Sequence, residues 1–318
     1  MPRLIVIIGA TGVGKTARAI ELAKQHCCPV ISADSRQIYR DLPIGTAAPT
    51  AEEQAGIPHY FVGCKELHEV YSAGQYARDC HVLLQELFAT YETVVMVGGS
   101  MMYVDAVCNG IDEIPEVPNH IREQVRKTYQ EEGIGWLQQE VQRLDPAYWA
   151  IVDRNNPQRL MHCVEVSRTT GQPYSSFRKR EQQNEDCPIH QLPFDIQYHM
   201  VERPREELYE RINLRVERMI EQGLLEEAKR AFEKLNILID PAIDLDYSTL
   251  PNSINTVGYK ELLHYFRGEW SLQRAIEMIQ QNSRRYAKKQ LTWFNRDPEI
   301  HWFHPDDHDG IFKLISSL

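Results

Sequence analysis

The sequence predicts an α/β protein: a parallel sheet flanked by helices, with a helical insertion. Three observations support this prediction. An apolar run at residues 4–8 is followed by a glycine-rich turn and a helical pattern, which together form the first half of a βαβ unit. Short apolar runs then alternate with helical patterns, as expected when helices connect parallel strands. Beyond Gly110 the strand patterns stop until residue 194.

Each predicted element has its own pattern. The first strand, Leu-Ile-Val-Ile-Ile at residues 4–8, is continuously apolar, as strands covered on both faces are. Further strands are predicted at residues 30–31, 60–62, 94–97 and 194–201. Apolar positions at helical spacing predict helices at residues 17–23, 76–91, 121–131, 136–144, 157–166, from 204 onward, 257–266 and 272–294.

The insertion divides the core in the sequence. Pro115 and Pro118 interrupt the chain, and the segments after them are rich in Gln, Glu and Arg. We therefore expect a discontinuous core of residues 1–112 and 196–318. The helical insertion domain is expected at residues 113–195.

Composition and charge limit the class of protein. With 42% hydrophobic and 25% charged residues, the chain is globular and neither disordered nor fibrous. The net charge of −10 excludes a general basic coat, so any nucleic-acid contact must come from local clusters. No apolar run approaches the roughly 20 residues of a membrane span, and the seven scattered cysteines form no Cys-x-x-Cys pair. We expect a cytoplasmic protein with reduced thiols.

A phosphate-binding motif follows the first strand. The phosphate-binding loop matches G-x-x-x-x-G-K-[ST] and consists of Gly9, Ala10, Thr11, Gly12, Val13, Gly14, Lys15 and Thr16. Its glycines let backbone N–H groups converge on phosphate oxygens, and the helix N-terminus adds its dipole. Lys15 contributes a point charge, and Thr16 contributes an oxygen for Mg²⁺. The motif predicts a P-loop-type core that binds a diphosphate or a nucleotide.

The loop alone does not identify the reaction, because hydrolases, small-molecule kinases and transferases all use such a loop. The residues that follow the later strands limit which of these reactions is possible. Asp34 follows the strand at residues 30–31 and should lie at the carboxyl edge of the sheet, where ligands bind. The strand at residues 94–97 ends in Gly-Gly-Ser and offers no Asp for the Mg²⁺ of an NTPase. Asp34 is therefore a candidate base; the alternative is a turn residue or helix N-cap.

Further motifs extend along nearly the whole chain, at residues 34–39, 44–47, 97–103, 157–160, 205–212, 257–261 and 284–293. Together with the phosphate-binding loop, they resemble the tRNA dimethylallyltransferases, also called tRNA isopentenyltransferases. The resemblance implies transfer of the dimethylallyl group of dimethylallyl diphosphate to N6 of the adenine adjacent to the anticodon. Pyrophosphate is released, and Mg²⁺ is the implied cofactor.

The residues fit this chemistry. Lys15, Thr16 and Mg²⁺ would hold the diphosphate, and Asp34 would accept the proton of the amine. Arg211 and Arg215 lie beside the apolar stripe of the helix from residue 204, a pattern typical of a solvated face. The resemblance implies that one of them, with Arg215 favoured, contacts the diphosphate. The predicted catalytic residues are Asp34, Arg215, Arg211 and Thr16.

Contacts to tRNA are expected from local basic clusters, which can neutralise phosphates. Residues 281–296 contain five basic residues and no acidic one, and residues 157–180 contain five against Glu165. Partly by resemblance, the expected tRNA-binding residues are Asp34, Ser35, Arg36, Gln37, Ser100, Arg122, Gln158, Arg159, Leu160, Met161, His162, Lys260, Arg284, Lys288 and Lys289. His162 stands where the family commonly has Arg, and Ser100 where it commonly has Thr.

Three other functions remain open at this point. One is prenylation of a free adenine nucleotide, which would need neither the basic helix nor the insertion. Another is a small-molecule kinase with ATP in the loop and Asp34 as base. The third is a nucleotide-binding module without catalysis. The expected partners are the anticodon stem-loop of tRNA and dimethylallyl diphosphate, with no membrane, and the expected oligomeric state is a monomer.

Overall fold

The computed structural model describes residues 1–110, 112, 114–178, 193–237, 239–240, 245–296 and 300–307. Its architecture confirms the predicted α/β class, because helices flank a parallel sheet of six strands. The strands are β1 (Arg3–Gly9), β2 (Val30–Ser32), β3 (His59–Tyr60), β4 (Thr93–Gly98), β5 (Asp195–Val201) and β6 (His301–Phe303). Their order is β3-β2-β4-β1-β5-β6, so β1 lies between β4 and β5 inside the sheet.

Twelve α-helices lie among the described residues. They are α1 (Lys15–Gln25), α2 (Ala51–Gln54), α3 (Ala73–Phe88), α4 (Met101–Cys108), α5 (Asn119–Glu132), α6 (Ile134–Leu144), α7 (Pro146–Trp149), α8 (Pro157–Thr170), α9 (Arg205–Glu221), α10 (Leu224–Lys234), α11 (Tyr259–Phe266) and α12 (Leu272–Phe294). Short 3-10 helices occupy Tyr174–Phe177 and Tyr247–Thr249. No described helix is long and apolar enough to span a membrane.

The apolar run of β1 is explained by its position in the sheet. Because successive side chains of a strand point to opposite faces, Leu4, Val6 and Ile8 enter one hydrophobic core, whereas Ile5 and Ile7 enter the other. All five side chains are fully buried. The strand that leads into the phosphate-binding loop is therefore held on both faces.

Two strands differ from the sequence prediction. The strand predicted at residues 60–62 is His59–Tyr60, because Phe61 adopts a left-handed φ of 60° that ends it. The short strand β6 was not predicted, since three residues are too few to show a period.

The chain forms two compact units. The sheet unit comprises Met1–Cys108 and Leu192–Leu318, and the helical unit comprises Asn109–Gln191. The described residues of the helical unit contain α5 to α8, a 3-10 helix and no strand.

The helical unit has its own core and a buried polar link. Asp145 is fully buried and accepts backbone N–H bonds from Tyr148 at 2.9 Å and Ser175 at 2.6 Å. These bonds join the first turn of α7 to the 3-10 helix. A buried carboxylate bonded in this way fixes the local arrangement of the unit.

Candidate active site

The phosphate-binding loop runs from the end of β1 into α1, as its motif predicts. At Gly9 φ is 152°, and a Cβ atom would lie 2.7 Å from the carbonyl oxygen of Val201 in β5. Glycine is therefore required where the loop leaves the sheet so close to a neighbouring strand. Lys15 folds back and donates to the Ala10 carbonyl oxygen at 3.2 Å, which keeps its ammonium group at the loop.

The backbone N–H groups of the loop fall into two sets. Thr11 donates to Oε1 of Gln290 at 2.9 Å, and Val13 donates to the Ala10 carbonyl oxygen at 3.3 Å. These two groups shape the loop. The N–H groups of Gly12, Gly14, Lys15 and Thr16 donate to no described residue. They lie at the N-terminus of α1, where N–H groups and the helix dipole favour an anion.

Both predicted arginines of α9 contact the loop. Nη2 of Arg215 donates to Oγ1 of Thr11 at 2.6 Å, and Nε of Arg211 donates to the Gly12 carbonyl oxygen at 3.1 Å. Arg215 is only partly exposed, whereas Arg211 is exposed. The more enclosed guanidinium of Arg215 is the better placed of the two to meet a bound anion.

Arg203 is a third arginine at the loop, and the sequence analysis did not identify it. Its Nε donates to the Val13 carbonyl oxygen at 3.0 Å, and its guanidinium pairs with Glu207. The side chain is 10% exposed. Its position between β5 and α9 was the available signal, because the carboxyl ends of parallel strands meet at one edge of a sheet.

Charged groups converge at the loop and shift the pKa of Lys15. Burial lowers this pKa to about 8; Asp34 opposes the shift, and Arg215 adds to it. Burial also lowers the pKa of Arg215, again opposed by Asp34. The three side chains therefore interact in one site, where an anionic ligand would favour the charged forms of both cations.

Asp34 lies just beyond β2, at the carboxyl edge of the sheet. Its Oδ1 accepts backbone N–H bonds from Arg36 at 2.9 Å and Gln37 at 3.4 Å. The turn role considered as an alternative is thus present, and it uses one oxygen. Oδ2 accepts no hydrogen bond from a described residue. The turn orients the carboxylate while leaving an oxygen available to a substrate.

Residues with hydroxyl groups lie close to Asp34 in the site. Ser100 accepts the N–H of Ser35 at 2.8 Å and donates to the Ser35 hydroxyl at 3.1 Å, which joins the residues after β2 and β4. Tyr286 of α12 lies close enough for Asp34 to affect it: burial raises the pKa of Tyr286 to about 12, and the Asp34 charge contributes to the rise. Tyr286 was not predicted from the sequence, because it lies in a segment whose evident signal is its basic charge.

Two predicted base-reading residues have different environments. Oε1 of Gln37 accepts from Ser32 at 3.1 Å, and its Nε2 donates to the Ala47 carbonyl oxygen at 3.0 Å. Both ends of the Gln37 amide are thus bonded within the protein, and its role in tRNA binding stays a prediction. Arg36 donates through Nη2 to Asn252 at 3.2 Å, while its Nη1 is buried without a partner among the described residues. Arg36 retains a donor for a ligand.

The expected RNA-contacting basic residues of α11 and α12 differ in how exposed their side chains are. Lys288 and Lys289 are exposed. Arg284 is bonded to Asn213 of α9, and Lys260 in α11 is only partly exposed. The two lysines are therefore the side chains of this set best placed to contact RNA phosphates.

The expected tRNA-binding residues of the helical unit also differ in exposure. In α8, Gln158 and Arg159 are exposed and His162 is partly exposed. Leu160 and Met161, which lie between Arg159 and His162, are buried: Leu160 is 0% exposed and Met161 is 8% exposed. Both side chains belong to the hydrophobic core of the helical unit, and a role of Leu160 and Met161 in tRNA binding stays a prediction.

A cavity of about 520 Å³ opens beside these α8 residues, within the helical unit. Its lining consists of Tyr148, Ile151, Val152, Gln158, Arg159, His162, Tyr174 and Arg178. The Arg178 guanidinium lies over the ring of Tyr148 at 5.0 Å, and His162 meets Tyr174 edge to face at 5.3 Å. Aromatic and cationic side chains of this kind suit unstacked bases.

The other expected tRNA-binding residue of the helical unit, Arg122, is also exposed and donates to the Val117 carbonyl oxygen at 3.3 Å. Lys179 and Arg180, in the expected basic cluster, lie outside the described residues.

Known proteins resemble this chain along its whole length. Residues 37–297 match the family model described as IPP transferase. A protein named tRNA dimethylallyltransferase 2 from Parabacteroides distasonis is 48% identical over 316 residues, covering 99% of each chain. A protein named tRNA dimethylallyltransferase 1 from Phocaeicola vulgatus is 47% identical and covers 99% of this chain and 98% of the relative.

Solved structures share the fold. The full-length tRNA isopentenylpyrophosphate transferase of Bacillus halodurans superposes with a TM-score of 0.68 at 30% identity, covering 100% of this chain and 94% of that chain. A eukaryotic dimethylallyltransferase described as acting on tRNA superposes with a TM-score of 0.80 at 24% identity, covering 99% and 78%. At that identity, the second match supports the fold alone.

Proposed function

The chain belongs to the IPP transferase family, and on this premise we propose that it transfers the dimethylallyl group of dimethylallyl diphosphate to N6 of the adenine adjacent to the anticodon in tRNA. The products are N6-dimethylallyladenosine in the tRNA and pyrophosphate. The observation that carries the proposal is the meeting of Lys15, Arg215 and Asp34 in one site. A cationic loop for a diphosphate lies there beside a carboxylate that can take a proton.

The phosphate-binding loop stabilises the leaving group. When the bond between C1 of the dimethylallyl group and the diphosphate oxygen breaks, its electron pair passes to the diphosphate. The unbonded N–H groups of the loop, Lys15 and Arg215 are preorganised to stabilise this growing charge.

Asp34 acts on the other reactant. The N6 amine forms the new bond to C1 and loses a proton, which Oδ2 of Asp34 accepts. The Oδ1 bonds to Arg36 and Gln37 keep the carboxylate in one orientation during this step. A positioned base of this kind contributes about 10²- to 10⁴-fold to the rate.

Mg²⁺ fits the site as an ion bound mainly through the substrate. The described residues contain no group of three or more His, Cys, Asp and Glu side chains that could hold a metal ion. The Thr16 hydroxyl, however, makes no hydrogen bond to a described residue and would offer the ion an oxygen ligand at the loop. Mg²⁺ commonly binds through phosphates, waters and one or two protein oxygens. When bound, it supplies further positive charge to the diphosphate.

The RNA must be held so that the target adenine leaves its stack, because a stacked base cannot reach a recessed carboxylate. We propose that the anticodon stem-loop is bound by Lys288 and Lys289 on α12, by the exposed residues Gln158 and Arg159 on α8, and by the partly exposed His162 on the same helix. The helical unit then serves as the tRNA-contacting domain. We also propose a cytoplasmic location, where tRNA is available as a substrate.

One incubation tests the proposal. The purified protein is given Mg²⁺ and dimethylallyl diphosphate labelled in the prenyl group, together with tRNA, AMP or neither; a parallel set uses γ-labelled ATP. We expect prenyl label in tRNA alone. Label in AMP would favour the free-nucleotide reaction, and transfer of the γ-phosphate would favour a kinase. The absence of any transfer would contradict an enzyme of this class.

A further inference from the structure

The carboxamide of Gln290 joins the phosphate-binding loop to the end of β4. Its Oε1 accepts the N–H of Thr11 at 2.9 Å, and its Nε2 donates to the Gly99 carbonyl oxygen at 2.8 Å. Gln290 is 1% exposed, so its side chain presents no surface to RNA. One side chain of α12 thus bonds to the residues that follow two adjacent strands.

The packing around this amide is close. A Cβ atom at Gly99 would lie 2.3 Å from Nε2 of Gln290. On α12, Gln290 shares the buried side with Ala287 and Phe294, which are apolar. A carboxamide among apolar residues is costly unless its polar atoms are bonded. Its two hydrogen bonds to the backbone meet that requirement.

Thr11 is held from two directions. Gln290 fixes its backbone N–H, and Arg215 bonds its hydroxyl at 2.6 Å. The N–H group of Gly12, one residue further on, is among those open to a diphosphate. Its direction depends on the peptide that Thr11 orients.

We propose that Gln290 is a positioning residue for the transfer reaction, which acts through Thr11 to orient the phosphate-binding loop toward the diphosphate. The inference rests on the proposed function for the identity of the substrate. Because Lys288 and Lys289 are exposed on the same helix, α12 supplies RNA contacts with one side and loop support with the other.

Gln290→Met tests the proposal, because methionine has a similar length and no amide. Gln273→Met, at an exposed position of the same helix, is the matched control. Binding of inorganic pyrophosphate with Mg²⁺ and binding of tRNA are measured separately, along with kcat and KM. We expect pyrophosphate affinity to fall at least about 10-fold, the KM for dimethylallyl diphosphate to rise, and tRNA affinity to stay unchanged. Normal pyrophosphate binding, or a loss confined to tRNA binding, would overturn the proposal. Failure of the unmodified protein to transfer would instead refute the proposed function.

A second variant keeps the test decisive if Gln290→Met does not fold. In Gln290→Glu the introduced carboxyl can still accept from Thr11, but it can donate to Gly99 only when protonated. We expect its pyrophosphate affinity, relative to the unmodified protein at the same pH, to be lower at about pH 8 than at about pH 5.5. An affinity equal to that of the unmodified protein at both values, or a deficit that does not change with pH, would overturn the proposal.

Discussion

Arg215 donates a hydrogen bond to the Thr11 hydroxyl over 2.6 Å, although 204 residues separate them in the sequence. The bond joins α9, which follows β5, to the loop that follows β1. It also places a partly buried guanidinium beside the N–H groups that are open to an anion. This geometry favours Arg215 over Arg211 as the diphosphate contact.

Arg215→Gln and Arg211→Gln should therefore differ in activity. We expect kcat/KM for dimethylallyl diphosphate to fall at least about 10²-fold for Arg215→Gln, because a charge at the leaving group is lost. Arg211→Gln should lower it less than about 10-fold, since Arg211 is exposed and its one hydrogen bond to a described residue is to a carbonyl oxygen. Steady-state kinetics with saturating tRNA measures both. The reverse order of effects would assign the contact to Arg211.

The pKa of Lys15 predicts how diphosphate binding depends on pH. Burial lowers this pKa to about 8 in the free protein, and a bound anion favours the protonated form. Pyrophosphate affinity should therefore decline as pH rises above about 8, by up to tenfold per pH unit. Titrations from about pH 7 to pH 10 measure the decline. Lys15→Arg is the control, because arginine stays charged there. The same decline in Lys15→Arg would contradict the assignment.

The exposed lysines of α12 should determine part of the salt dependence of tRNA binding. Replacing Lys288 and Lys289 together by alanine should weaken binding and reduce the slope of log affinity against log salt by up to about one unit per lost phosphate contact. Arg274→Ala, in the first part of the same helix and paired with Glu277, is the control. An unchanged slope in the double variant would show that these lysines only face solvent.

Substitutions at two neighbouring residues of α8 should affect different properties, namely protein stability and tRNA affinity. Leu160→Ala should destabilise the protein by about 2–5 kcal/mol, because it removes a fully buried side chain. Arg159→Ala should lower tRNA affinity and leave the melting temperature unchanged. Thermal unfolding and tRNA titration on both variants distinguish these effects. A fully stable Leu160→Ala variant with weakened RNA binding would restore Leu160 as a contact residue.

The fold could be predicted where local pattern and burial agree. The β1 run and the motif after it are continuous in sequence, and each is explained by one place in the sheet. The strand β6 could not be predicted, because its three residues gain their structure from pairing with β5. The end of β3 depends on the left-handed conformation of Phe61, which the pattern of apolar residues does not encode.

Site residues could be predicted only where a sequence motif or the position after a strand indicates their chemical role. Lys15, Thr16 and Asp34 are recognisable from their spacing after strands. The support that Arg203 and Gln290 give to the loop depends on contacts across the fold, and an arginine or glutamine alone does not indicate such a partner. Leu160 shows the converse limit, since a match to a binding segment does not tell which of its side chains face outward.

In the proposed reaction, Asp34 accepts the amine proton while the phosphate-binding loop stabilises the departing diphosphate. Asp34→Asn tests it most directly, because the amide oxygen can preserve the turn bonds to Arg36 and Gln37 while the base is lost. The measurement is single-turnover prenyl transfer with tRNA and dimethylallyl diphosphate both saturating, alongside the affinity for each. We expect near-normal affinities for both substrates and a chemical step at least about 10²-fold slower. A chemical step of normal rate would contradict it.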